Sequence, residues 1–73
     1  MATQIVMDHT GDTRHQFDVK NHDALLKAEE RFRTLTGLGF TAAVRGASGD
    51  VAVTRDFDPT AEETLFYPRL VGG

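Results

Sequence analysis

One segment of the sequence has a well-defined helical period, and it limits what every other residue can do. Leu25, Ala28, Phe32 and Leu35 recur at helical spacing with Ala24 beside them, while Lys27, Glu29, Glu30 and Arg33 take the other side. Asn21 suits the N-cap, and Asp23 places a carboxylate at the positive end of the helix dipole. Glu29 and Arg33 are ordered for an i,i+4 ion pair worth roughly 0.3 kcal/mol. At the far end Gly37 fits the left-handed position after the last turn, with Leu38 folding back towards Phe32 and Gly39 turning the chain out. A single helix with one apolar stripe can cover one sheet face and no more, so the remaining residues must make a single sheet.

The flanking segments alternate as strands do. Residues 3–8 form a short β-prone run with Ile5 and Met7 on one face and Val6 on the other, followed by a turn at His9-Thr10-Gly11-Asp12. From Thr13 to Val19, residues Thr13, His15, Phe17 and Val19 share a face opposite Arg14, Gln16 and Asp18, which completes an N-terminal hairpin. After the helix, Phe40, Ala42 and Val44 point inward, residues 46–50 form a hairpin loop, and Val51 to Thr54 return. Further alternation would put Arg55 on the face of Val51, Val53 and Phe57, so the strand is expected to end or bulge near Arg55. Asp58 and Pro59 suit the cap and first position of a one-turn helix before the strand that begins at Thr64.

The expected order is strand, strand, helix, strand, strand, short helical turn, strand: an α+β fold with a mixed sheet of four to five strands packed on one helix. If the first and last strands lie parallel at the centre, every hairpin stays antiparallel and the edges fall to the polar strands. That arrangement is a β-grasp, here a single domain over 1–73 with 68–73 as a flexible diglycine tail.

At 73 residues the chain buries only about 60% of its unfolded surface and has no room for a deep catalytic cleft. It has no cysteine, so it can hold no disulfide, no thiolate nucleophile and no thioester of its own. A net charge of -3 with no Lys/Arg block argues against nucleic acid, and the absence of any long apolar run or signal pattern argues for a soluble cytoplasmic protein that does not enter a membrane. His9, His15 and His22 fit no zinc spacing, the aspartates form no calcium loop, and the single serine, Ser48, sits in a glycine-rich hairpin loop. No catalytic or metal-binding residue is therefore assigned.

The end of the chain, Thr64-Leu65-Phe66-Tyr67-Pro68-Arg69-Leu70-Val71-Gly72-Gly73, runs from an apolar strand into two glycines. Such a pair costs more to order than any other and packs nothing, but it can thread a narrow channel and present a carboxylate for activation.

With these features together the chain resembles ubiquitin and its relatives. Gln4-Ile5 and Thr10-Gly11-Asp12-Thr13 are similar to ubiquitin's opening Gln-Ile and first turn Thr-Gly-Lys-Thr, and Arg69-Leu70-Val71-Gly72-Gly73 resembles Arg-Leu-Arg-Gly-Gly. Phe66, Pro68 and the diglycine also resemble the ends of the small sulfur carriers of molybdopterin and thiamine synthesis. The resemblance implies a chain that is a substrate, with no bound cofactor. A partner activating enzyme spends ATP to adenylate Gly73, next to Gly72, and recognises Arg69, Leu70 and Val71. A conjugating enzyme then passes the acyl group to lysines of target proteins, and a deconjugating protease removes it. The alternatives are a sulfur carrier bearing a thiocarboxylate and a non-covalent interaction module with an idle tail. Lys20 and Lys27 are the only lysines at which copies could be linked into chains.

Overall fold

The computed structural model describes residues 1–68. Its elements are β1 (Ala2–Asp8), β2 (Gly11–Phe17), α1 (His22–Gly37), β3 (Phe40–Arg45), β4 (Val51–Thr54) and β5 (Glu63–Pro68). The strands form one sheet in the order β2-β1-β5-β3-β4. β1 and β5 are parallel at its centre and every other pair is antiparallel. One helix on a five-stranded mixed sheet is compatible with a β-grasp-like fold.

Alternation sorts each strand between the two faces. Ala2, Gln4 and Val6 of β1, Phe17 of β2, Ala42 of β3 and Phe66 of β5 meet the helix, where Ala28 and Phe32 are buried. Val19, expected to continue the Phe17 face, lies beyond the end of β2 and is exposed. Asn21 caps the helix as expected, its side chain accepting from the Ala24 N–H at 3.1 Å. Glu29 and Arg33 do approach, but at 3.9 Å between exposed groups, where such a pair contributes little.

The helix ends differently from the sequence expectation. Gly37 is its last helical residue, Leu38 caps it in the right-handed region with φ -82°, and Gly39 takes the positive φ of 100°. Leu38 is 72% exposed and does not fold back onto Phe32. The extra turn-closing bonds run from the Leu38 N–H to Thr34 and Leu35 carbonyls, so the helix outlasts the first glycine. A methyl group at either glycine would meet no atom within 4 Å, which leaves backbone conformation as the sole difference between them. Gly39→Ala is therefore expected to cost about 1–2 kcal/mol, and Gly37→Ala to stabilise by about 0.5 kcal/mol. Urea unfolding of both variants checks the opposite signs.

A second correction concerns residues 58–62. No helical turn forms; Asp58 instead makes a side-chain-closed turn, accepting from the Thr60 N–H at 2.9 Å and the Thr60 hydroxyl at 2.6 Å. The carboxylate satisfies a donor two residues on, which competes with the helical cap it would otherwise make. Those bonds hold the Asp58 carboxyl below its ordinary pKa. β4 ends at Thr54, as expected from the facing of Arg55. The Thr54 hydroxyl accepts from the Asp56 N–H and donates to the Asp56 carbonyl, and beyond this bend Phe57 packs against the helix-side core.

Candidate functional site

The strand that leads to the diglycine is the central one of the sheet and is paired on both edges. β5 pairs with β1 from Glu63 to Phe66 and with β3 from Glu63 to Pro68. Pro68 cannot donate to a ladder, and it stands beyond Phe66, where pairing with β1 has already ended. Opposite Pro68 lies Phe40, which also lines a groove of about 420 Å³ with Thr36, Gly39 and Arg55. Arg69, Leu70, Val71, Gly72 and Gly73, the residues expected to carry recognition and chemistry, lie outside the described residues.

Both lysines are exposed. Lys20 sits in the turn between β2 and α1, its N–H held by the Asp18 carboxylate at 2.9 Å, and Lys27 lies on the flank of α1 towards β2. Lys27 belongs to a basic groove of about 360 Å³ between β2 and α1, which also takes in Arg14, His15 and Arg31. Burial, and then the Arg31 charge, hold the His15 pKa below the ordinary imidazole range. The three histidines do not converge, and among the described residues no group of three or more His, Cys, Asp or Glu side chains could hold a metal. No helix among those residues is long and apolar enough to cross a membrane.

Two features escaped the sequence reading. Gln4 is 0% exposed; its Nε2 donates to the Ala28 carbonyl at 3.0 Å and its Oε1 accepts from Arg31 Nη1 at 2.8 Å. Only its position, inside an apolar strand and facing the helix, could have flagged it. On the other sheet face, the register lines up Arg14, Ile5, Leu65, Ala43 and Val53 across all five strands. Beside this row Arg45 pairs with Glu63 at 3.1 Å. The face carries no helix, yet Ile5 and Ala43 are buried there and Leu65 is half-buried, so within the row only Val53 at the edge is an exposed apolar side chain.

No protein-family model matches the sequence, and comparison with curated proteins and with solved structures returns no match.

Proposed function

We propose that this chain is a ubiquitin-like protein modifier with a β-grasp body, activated at the carboxyl of Gly73. The observation that carries the proposal is the placement of the diglycine segment directly after β5, the central strand, which is paired on both edges. A tail leaving so firmly held a strand can be pulled into an enzyme channel without loosening the body. Gly72 and Gly73 have no side chains to obstruct that channel.

The chemistry belongs to partners. The Gly73 carboxylate attacks the α-phosphate of ATP, giving an acyl adenylate and releasing pyrophosphate. A cysteine thiolate of the activating enzyme displaces AMP to form a thioester, and after transfer to a conjugating enzyme a lysine amine displaces the thiol to leave an isopeptide. Arg69 supplies charge-assisted bonds to acidic groups of the activating enzyme, and Leu70 and Val71 fill apolar contacts beside it. Exposed Lys20 and Lys27 are the amines at which a second copy could be joined.

Phe66 and Pro68 favour a second reading, in which sulfide rather than a cysteine thiolate displaces AMP and leaves a thiocarboxylate at Gly73. One experiment separates these fates. A tagged copy ending at Gly73 and one lacking Gly72 and Gly73 are expressed in the source organism and compared by denaturing gels and mass spectrometry. High-mass adducts that vanish with the deletion support the modifier. A free protein with one terminal oxygen replaced by sulfur supports the carrier. If the two copies behave alike, the tail is idle and the domain acts through non-covalent binding.

A further inference from the structure

The two edges of the sheet differ in kind. β2 carries Asp12 and Arg14, charges of the sort that keep an unpaired strand from accepting a neighbour. β4 reads Val-Ala-Val-Thr with no charge, and Val51 and Val53 are 52% and 67% exposed. Among the described residues no strand pairs with its outer side. Its backbone groups there are regularly spaced. The Gly46 N–H donates to the Asp50 carbonyl at 3.3 Å, and an antiparallel ladder alternates from that pair onward. Ala52 and Thr54 consequently direct their amides and carbonyls to β3, while Val51 and Val53 direct theirs outward.

We propose that β4 pairs antiparallel with β4 of a second copy, Val51 opposite Val53 and Ala52 opposite Ala52, so that two five-stranded sheets join across a two-fold axis. That axis keeps both helices on one side of the joined sheet, so opposed residues must face the same way. Val51 and Val53 do, and they are also the two residues with outward backbone groups, so this register makes four N–H···O=C bonds. Their side chains form two apolar cross-strand pairs on the face without a helix. Charge complementarity selects a second copy as the occupant. Asp50 precedes the strand and Arg55 follows it, so antiparallel pairing brings each acidic end beside a basic end. A four-residue edge buries far less than the roughly 1,200 Å² of stable interfaces, so the dimer is weak and depends on concentration.

The chain has no cysteine, which makes Ala52→Cys a single reporter of the register. Ala52 would face its counterpart as a non-hydrogen-bonded pair about 4.5 Å apart between Cα atoms, within reach of a disulfide. Under mild oxidation Ala52→Cys is expected to crosslink at least about tenfold faster than Ser48→Cys, whose two copies lie at opposite ends of the joined strands. Sedimentation equilibrium of the full unmodified chain should show a monomer–dimer equilibrium, weakened about tenfold or more by Val53→Lys. Val53 is at the surface, and circular dichroism confirms that the variant folds. Monomer at every concentration, equal crosslinking by the two cysteine variants, or a dimer indifferent to Val53→Lys would each overturn the proposal.

Discussion

Phe66→Ala is expected to cost about 3–5 kcal/mol, read as a lowered midpoint in urea unfolding. By the usual per-residue stability a chain this short has roughly 4–11 kcal/mol to lose, so the variant should be partly unfolded at 37 °C. Phe66 is 0% exposed and stands on β5, the strand on which both halves of the sheet pair. Its ring meets Phe32 edge to face with centroids 5.7 Å apart; Phe32 meets Phe57 at 5.9 Å, and Phe57 meets Phe17 at 6.4 Å. These four rings link the N-terminal hairpin, the helix, the loop after β4 and the last strand. The buried residues clustered with it are Phe32, whose ring is rigid, and Ala42, whose methyl group is too short to fill the void, so little of the cavity can collapse. A loss below about 1.5 kcal/mol would show that the aromatic chain is not the centre of the core.

Gln4→Ala is expected to be the next most damaging change, at about 3 kcal/mol, from the void and from two lost hydrogen bonds in a closed interface. Gln4→Leu separates these contributions. Leucine refills most of the volume, the Ala28 carbonyl keeps its place in the helical ladder, and Arg31 is only partly buried and can turn to water, so the cost should fall to about 1 kcal/mol. A double-mutant cycle with Arg31→Met should return a coupling of about 1 kcal/mol. If Gln4→Ala and Gln4→Leu cost the same, packing is not a component; if the cycle shows no coupling, the 2.8 Å bond to Arg31 contributes nothing to stability.

How far the sequence could be read depended on whether a signal was local. The helix start at Asn21, the inward facing of Phe40, Ala42 and Val44, the end of β4 near Arg55 and the two hairpins all follow from residues within a few positions of one another. Gly37, Leu38 and Gly39 show where local rules run out. Two glycines two residues apart each satisfy the stop signal, and only the hydrogen bonds of the final turn choose the second. Asp58 before Pro59 likewise satisfies both a helix cap and a side-chain-closed turn, and the neighbouring hydroxyl of Thr60 decided for the turn.

By itself, then, the sequence determined one helix, the five strands around it, and the apolar stripe that permits one helix and one sheet, though not the turn before β5, because period and capping are properties of adjacent residues. It also excluded thiol chemistry by these residues, since an absent cysteine needs no fold to be read. Tertiary structure decided what depends on residues far apart meeting. The Gln4–Arg31 bond spans 27 positions, Phe57 crosses from its strand's outer face to the core through one bend, and the charge-free edge of β4 exists only because β5 pairs between β1 and β3. Such contacts carry no periodic signature, so only the sheet order, set by burying Phe66 and Phe32 together, brings them into being.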